Sequence, residues 1–215
     1  MIKVVPTKRA SNIIASYSPD LITYPYLYNL EKVRRVIVSS NAFTIGNGMG
    51  RSKEILEFIR KIIESTKIPK VIDADGIYSV SKMKLKNSVI APHKKEFEIL
   101  TGENLTGTLK KDCDIVLRNA KKKLIVLYIV TKGHVDIIYD EREVFVNKTG
   151  NPYMTKGGTG DILMRIIGSL IAQGNSLLES TCAGAYICGK AGDLAAKKKG
   201  PGLLSTDIIE KIPEV

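Results

Sequence analysis

Residues 124–131 form the apolar run Leu-Ile-Val-Leu-Tyr-Ile-Val-Thr, which is the strongest constraint on the fold of this chain. Neighbouring side chains of a strand point to opposite faces of its sheet, so a continuous apolar run has to be covered on both faces. A half-exposed antiparallel strand would alternate apolar and polar residues instead. The run therefore predicts a central parallel strand with helices on both sides.

Extended apolar runs and helical patterns alternate along most of the chain. The patterns predict helices at 8–17, 53–66, 109–122, 161–172 and 177–197, and strands at 2–5, 33–38, 71–74, 88–91 and 124–131. Two more runs, 135–139 and 143–146, are separated by a short polar turn and predict a hairpin. This alternation is typical of βαβ units, so we expect an α/β fold with a mainly parallel sheet.

Length and composition limit the class of protein. A chain of 215 residues with 44% hydrophobic content is enough for one compact domain, and we expect residues 1–215 to form it. No apolar stretch approaches the roughly 20 residues that cross a bilayer, and the N-terminal segment lacks a signal peptide's apolar region. Cys113, Cys182 and Cys188 show no Cys-x-x-Cys spacing and are expected to be buried free thiols. We therefore expect a cytoplasmic protein without a membrane partner.

The net charge of +11 raises the question of nucleic-acid binding. The chain has two lysine clusters, 121–123 and 197–199. Both lie at the C-terminal ends of predicted helices, where cations complement the helix dipole. Neither cluster is interleaved with the aromatic residues that a single-strand binder uses. We expect no nucleic-acid partner, and a positive field also attracts anionic nucleotides.

The segment 156–161, Lys-Gly-Gly-Thr-Gly-Asp, leads directly into a predicted helix. Glycines let a phosphate approach the backbone amides, and the helix N-terminus favours an anion. A carboxylate at such a place repels phosphate, so Asp161 makes sense as a base that takes a proton or as a group that positions a metal. The alternative is that Thr159 or Asp161 simply caps the helix after a tight glycine turn.

Further short motifs precede this segment in a fixed order. They are Gly-Asn-Gly-Met-Gly at 46–50, Val-Ile-Asp-Ala-Asp-Gly at 71–76, Ala-Pro-His-Lys-Lys-Glu-Phe at 91–97, Thr-Lys-Gly at 131–133 and Thr-Gly-Asn-Pro at 149–152. With Gly-Thr-Gly-Asp at 158–161, the chain resembles the ADP/ATP-dependent NAD(P)H-hydrate dehydratases of the ribokinase-like superfamily, from about residue 1 to residue 207. The resemblance implies a three-layer α/β sandwich, shortened at its N terminus, because the relatives carry further strands and helices there.

The resemblance also implies roles for particular residues. It makes Asp161 the catalytic base and places the hydrated nicotinamide against Gly48, Gly50, His93 and Asp161. It assigns the nucleotide to Lys132, Gly133, His134, Val135 and Asp136, and to Gly158, Thr159 and Gly160. Glu96 would hold water on Mg²⁺.

From the residues alone, the 46–50 loop has a flexible turn as its alternative, and Lys132 has the role of a surface lysine as its alternative. A lone histidine such as His93 favours a structural role. Asp73 and Asp75 flank Ala74 after a predicted strand, and we expect their carboxylates to point to opposite sides, so that only one of them faces the site.

Three positions depart from the family pattern. Asn47 stands where the family usually has Pro, and His134 is bulkier than the usual small residue. Arg165 replaces a common Gly, four residues after Asp161 on the same helical face. Its guanidinium could form a salt bridge with Asp161 or bind a phosphate, and the sequence leaves both open.

The implied function is repair of NADH or NADPH whose nicotinamide ring has been hydrated. ADP or ATP would phosphorylate the ring hydroxyl with the help of Mg²⁺, and phosphate would then leave. A kinase of a small alcohol, vitamin or sugar is the first alternative, and a non-catalytic nucleotide-binding protein is the second. We also expect a homo-oligomer, because the strand at 2–5 would otherwise be an exposed edge.

Overall fold

A mainly parallel sheet forms the middle layer of the molecule. The computed structural model describes residues 1–81, 83, 85–123, 126–131, 135–140 and 144–215, with the backbone alone at 120–123 and 126–131. In the order of the sheet, its described strands are β3 (Phe43–Ile45), β4 (Lys70–Ile72), β5 (Ser88–Ile90), β6 (Val126–Thr131), β7 (Val135–Tyr139) and β8 (Val144–Asn147). Strands β3 to β6 are parallel, and β7 and β8 are antiparallel to their neighbours. The predicted sheet and its hairpin are confirmed.

Helices cover both faces of this sheet. One layer contains α2 (Leu30–Val38), α3 (Lys53–Glu64), α4 (Asp75–Val80), α5 (Lys94–Thr101) and α6 (Leu109–Lys123). The opposite layer contains α7 (Thr159–Ala172), α8 (Leu177–Lys199) and α9 (Ser205–Lys211). Alternation divides the strand side chains between two cores, since Ile72 and Ile90 pack with the first layer and Val71 and Val89 with the second. The three-layer sandwich is therefore confirmed.

A small unit at the N terminus lies outside the central sheet. It consists of β1 (Ile2–Val4), α1 (Lys8–Tyr17) and β2 (Leu21–Thr23), and β1 pairs with β2 in a separate parallel sheet. The predicted strand at 2–5 exists, but it does not join the main sheet. Lys3 connects it to the end of α2 by donating from Nζ to the carbonyl oxygen of Ser39 at 2.8 Å.

The prediction of a strand at 33–38 was wrong, because these residues form most of helix α2. Val33, Val36 and Ile37 are buried, and their i, i+3, i+4 spacing is helical rather than alternating. Asn29 caps the helix by accepting a hydrogen bond from the Lys32 N–H at 3.0 Å. The strand before the 46–50 loop is instead the three-residue β3, which is too short to give a clear periodic signal.

The cysteines are free thiols, as predicted, although only Cys188 is fully buried. Burial raises the pKa of Cys188 to about 12 and that of Cys182 to about 11. Thiols with raised pKa values carry little thiolate at neutral pH, so these two are poor nucleophiles. No helix in the described part of the chain has both the length and the apolar character needed to span a membrane.

Helix α8 approaches the loop after β8 very closely. A Cβ added at Gly189 would lie 2.2 Å from Oγ1 and 2.8 Å from the carbonyl carbon of Thr149. The second of these atoms belongs to the backbone and cannot rotate away. The absence of a side chain at Gly189 therefore sets the distance between α8 and the segment that leads toward the 156–161 loop.

We expect Gly189→Ala to destabilise the protein by about 1–3 kcal/mol, because overpacking outweighs the gain of about 1 kcal/mol in helix propensity. Chemical denaturation measures the change. The control is Gly202→Ala, since nothing lies within 4 Å of a Cβ there. Equal stability of the Gly189 variant and the wild type would contradict the close contact.

Candidate active site

The candidate site lies at the carboxyl edge of the parallel strands. The loops that leave β3, β4 and β5 all begin at this edge, which is where open parallel sheets bind ligands. The N-terminus of α7 approaches the same place, because a Cβ at Gly160 would lie 3.9 Å from Oδ2 of Asp73. The tertiary structure thus brings together most of the short motifs found in the sequence.

The 46–50 loop is packed against the end of β4. A Cβ at Gly46 would lie 1.9 Å from the carbonyl oxygen of Asp73, and the φ of Gly46 is +125°, so only glycine fits. Ala74, two residues after the end of β4, has a φ of +46°, a conformation that costs a residue with a Cβ on the order of 1–3 kcal/mol. The surrounding contacts have to offset this strain, as is common at functional sites.

Asp75 holds the far end of the loop. Its carboxylate accepts hydrogen bonds from the Gly50 N–H at 2.9 Å and from Nε of Arg51 at 2.6 Å. The Arg51 guanidinium also lies over the Tyr78 ring, 4.0 Å from the ring centre. The amide of Gly50 is therefore occupied, whereas Gly48 has open space around it.

Asp73 faces the opposite way, toward Asp161. The side-chain amide of Asn47 connects the two, since Nδ2 donates to Oδ2 of Asp73 at 3.1 Å and to Oδ1 of Asp161. The two carboxylates diverge, as predicted, because Ala74 turns the chain and Asp75 begins α4. Asn47 was missed as a site residue, although its departure from the family's Pro was the available signal.

Burial raises the pKa of Asp73, and the negative charge of Asp161 adds to this effect. The hydrogen bond from Asn47 and the nearby His93 act in the opposite direction. Asp73 is therefore a carboxylate whose charged form depends on donors and cations around it.

The predicted anion site falls at the start of α7. Gly158 is the N-cap residue, has a φ of +93° and provides no side-chain hydrogen bond to the helix. The helix begins at Thr159, so neither Thr159 nor Asp161 is the cap, and the capping alternative is wrong. The positive end of the helix dipole therefore has no side-chain cap and favours an anion.

Arg165 is exposed and forms no salt bridge with Asp161 in the part of the chain that the structure describes. The carboxylate of Asp161 accepts its hydrogen bond from Asn47 instead. Of the two roles that the sequence left open for Arg165, the salt bridge is absent.

His93 and Glu96 form a capping box at the start of α5. The His93 ring accepts from the Glu96 N–H through Nδ1 at 3.2 Å, and the Glu96 carboxylate accepts from the His93 N–H at 3.1 Å. Because Nδ1 is the acceptor, the proton of the neutral ring lies on Nε2. The His93 side chain remains 61% exposed, so it can also contact a ligand.

Glu96 is almost completely buried, and its burial raises its pKa. The hydrogen bond from the His93 N–H, the His93 ring and Arg51 oppose that rise, while Asp73 adds to it. A buried carboxylate next to a second one is a place where a cation is favourable. Within the described residues, however, no three His, Cys, Asp or Glu side chains are grouped as a metal site made by protein alone would require.

The predicted nucleotide segment is described only in part. Lys132, Gly133 and His134 lie outside the described residues. Val135 begins β7 at the carboxyl edge of the sheet, and the buried Asp136 accepts from Nδ2 of Asn147 at 2.9 Å. This contact gives Asp136 a structural role between β7 and β8.

Two surface cavities lie elsewhere, along α2. They measure about 310 and 410 Å³ and share Arg35 and Ser39 in their linings. Neither contains a residue of the candidate site.

A sequence profile of the NAD(P)H-hydrate dehydratase family matches residues 1–214. A bifunctional NAD(P)H-hydrate repair enzyme from Hyperthermus butylicus is 35% identical over 93% of this chain, and the match covers 40% of that enzyme. An ADP-dependent (S)-NAD(P)H-hydrate dehydratase from Haloterrigena turkmenica is 30% identical over 94% of this chain and 76% of its own length. This chain thus spans less than half of the bifunctional enzyme.

Solved structures have the same fold. A ribokinase-like superfamily protein from Enterococcus faecalis matches 99% of this chain and 75% of its own, with a TM-score of 0.85 and 24% identity. An ADP/ATP-dependent NAD(P)H-hydrate dehydratase from Bacillus subtilis was co-crystallised with ATP and Mg²⁺. It matches 99% of this chain and 77% of its own, with a TM-score of 0.82 and 21% identity. The fold is therefore ribokinase-like, and the match over residues 1–214 shows that the chain belongs to the NAD(P)H-hydrate dehydratase family.

Proposed function

We propose that this protein dehydrates hydrated NADH or NADPH in a reaction driven by ADP or ATP. The observation that carries the proposal is the position of Asp161, whose carboxylate lies at the uncapped N-terminus of α7 and faces the loop ends of β3 and β4. A base beside an anion site suits phosphoryl transfer to a hydroxyl group. The activity named for the Haloterrigena turkmenica relative supports the choice of substrate.

The chemistry starts from a poor leaving group, since hydroxide does not leave the nicotinamide ring readily. Asp161 takes the proton of the ring hydroxyl while the hydroxyl oxygen attacks the terminal phosphorus of the nucleotide. The bond from that phosphorus to the bridging oxygen breaks, and AMP leaves from ADP or ADP leaves from ATP. The amides of Gly158, Thr159 and Gly160 stabilise the charge on the transferred group. The ring carbon–oxygen bond then breaks, phosphate leaves with the electron pair, and loss of a proton from the adjacent carbon restores the double bond.

The other site residues bind and orient the reactants. Gly48 and His93 would hold the nicotinamide ring, and Nε2 of His93 also lies 3.3 Å from Oε1 of Glu96. Gly50 would act through its place in the loop, because its amide is bound to Asp75. Lys132, Gly133, His134, Val135 and Asp136 remain the predicted adenylate segment.

The side chains of this site fit Mg²⁺ if the nucleotide phosphates and water supply most of the ligands of the ion. Mg²⁺ usually takes only one or two protein carboxylates, keeps several waters and binds the phosphates. The buried carboxylate of Glu96, whose pKa is raised by burial, would hold one of those waters. Bound there, Mg²⁺ would offset the charge of the nucleotide phosphates.

The test is to incubate the protein with hydrated NADH or NADPH, Mg²⁺ and either ADP or ATP while following the return of reduced-nicotinamide absorbance. Recovery that depends on the nucleotide supports the proposal. Nucleotide turnover with a small alcohol, vitamin or sugar and no recovery would identify a kinase. Binding without any turnover would identify a non-catalytic protein.

We further propose that residues 1–215 act as one domain in the cytoplasm and assemble as a homo-oligomer through the β1–α1–β2 unit. Val5 and Tyr26 pack against the main core, which supports a single domain.

Several large apolar side chains of the unit are exposed: Met1, Ile2, Ile13, Tyr17 and Ile22. Such a concentration of exposed apolar groups favours an interface with a second copy.

We expect Asp161→Asn to lower turnover by about 10²–10⁴-fold, because the amide keeps the shape of the side chain but cannot accept the proton. Nucleotide affinity, measured by calorimetry, should be retained. Asp114→Asn, an exposed carboxylate on α6, serves as the control and should remain active. Near-normal turnover of the Asp161 variant would show that another group is the base.

We expect Gly160→Val to abolish nucleotide binding in a folded protein. A Cβ at Gly160 meets only Oδ2 of Asp73, at 3.9 Å, so the fold should tolerate the side chain. The added methyl groups would instead fill the space that a phosphate needs beside the α7 amides. Calorimetry with ADP and ATP measures the loss, and undiminished affinity would place the nucleotide elsewhere.

We expect a light-scattering mass of at least twice the 23.6 kDa of one chain at micromolar concentration. Ile13→Glu should lower that mass, because it puts a charge on the exposed face of α1, where Ile13 is 62% exposed. Tyr186→Glu on α8 is the control, since that side chain is also exposed and lies outside the unit. A wild-type mass of one chain would contradict the proposed assembly.

A further inference from the structure

Asn47 connects two carboxylates of the site with one amide group. Its Nδ2 donates one hydrogen to Oδ2 of Asp73 at 3.1 Å and the other to Oδ1 of Asp161. These residues come from three different parts of the chain: the loop after β3, the end of β4 and the first turn of α7. The connection is therefore a tertiary contact that no local motif contains.

The backbone that precedes Asn47 is held in place. Gly46, the residue before it, packs against the Asp73 carbonyl with no space for a side chain. Asp73 lies directly after β4, and its N–H donates to the carbonyl oxygen of Ile45 at 3.1 Å. Because this backbone is held in place, a hydrogen bond from the Asn47 side chain can select one rotamer of a partner carboxylate.

Asp161 is that partner. It lies in the first turn of α7 and is half-exposed, and the structure places no cationic side chain within salt-bridge distance of it among the described residues. The bond from Asn47 occupies Oδ1. It leaves Oδ2 as the oxygen that can accept a proton from a ligand.

The amide also lies between two groups of like charge. Asp73 and Asp161 repel each other when both are ionised, and a donor shared between them offsets that repulsion. Without it, Asp161 would turn away from Asp73 and toward solvent. A proline at position 47, as in the family pattern, has no side-chain donor for this purpose.

We propose that Asn47 is a positioning residue that orients Asp161 for proton abstraction by bridging it to Asp73. The proposal rests on the dehydratase function proposed above, since it assigns Asp161 as the base. It does not require Asn47 to touch the substrate. The expected effect of its loss is therefore on the rate of the chemical step rather than on binding.

The kinetic test compares Asn47→Leu with the wild type. Leucine is close in size to asparagine but cannot donate, so kcat should fall about 10²-fold, as is typical for a misplaced catalytic group, while KM and the nucleotide Kd stay within about twofold. Asn47→Asp, which adds a third carboxylate, should lower kcat at least as much. The control is Asn41→Leu, which removes a side-chain amide bond of 3.0 Å to the Ala172 carbonyl at the opposite end of β3.

Unchanged kcat in Asn47→Leu would overturn the proposal. A raised KM with normal kcat would also overturn it, because Asn47 would then be a substrate-binding residue. Wild-type activity in Asn47→Pro would show that a donor at this position is unnecessary.

A second measurement separates this proposal from the proposed function. Thermal unfolding of Asn47→Leu, Asp161→Ala and the double variant needs no substrate, and the two shifts in Tm should be non-additive if the side chains are bonded. Additive shifts would overturn the bridge. If the wild type lacked dehydratase activity, coupled shifts would still support the contact, and the failure would belong to the proposed function alone.

Discussion

The contact between Gly46 and the backbone of Asp73 is the constraint on which the site depends. With no side chain at Gly46, the loop after β3 lies directly on the end of β4. Asn47 then reaches both aspartates, while Asp75 holds Gly50 and Arg51 at the other end of the loop. A larger residue at position 46 would separate the loop from the strand and remove these contacts together.

Electrostatics explain why the site needs many donors. Asp73, Asp161 and Glu96 place negative charge in a region that would bind an anionic nucleotide, and burial raises the pKa values of Asp73 and Glu96. The positive end of α7, the Asn47 amide and the His93 ring offset part of this charge locally. The net charge of +11 offsets it at longer range and attracts anions. The arrangement suits a ligand that brings phosphates together with a divalent cation.

Hydrophobic patterns that extend over many residues predicted the fold well. The run at 124–131 and the hairpin at 135–146 were placed correctly in the sheet, and helix α1 was predicted to the residue. Some short elements, such as β2 and β3, were not predicted. The three residues of β3 are too few to show a period, and the apolar side of α2 resembles a strand when its Arg34 and Arg35 are not counted. The pairing of β1 with β2 alone was also invisible, because it depends on which strands lie side by side.

The sequence by itself determined the class of the fold, the family and the chemical character of the site. Apolar periodicity decides which faces are buried, and glycines next to an acidic residue at a helix start favour phosphoryl chemistry whatever surrounds them. Only the tertiary structure decided that Asn47 joins Asp73 to Asp161. These hydrogen bonds connect side chains on different elements. Their geometry follows from how the strand ends and helix starts meet, and no spacing along the chain encodes that distance.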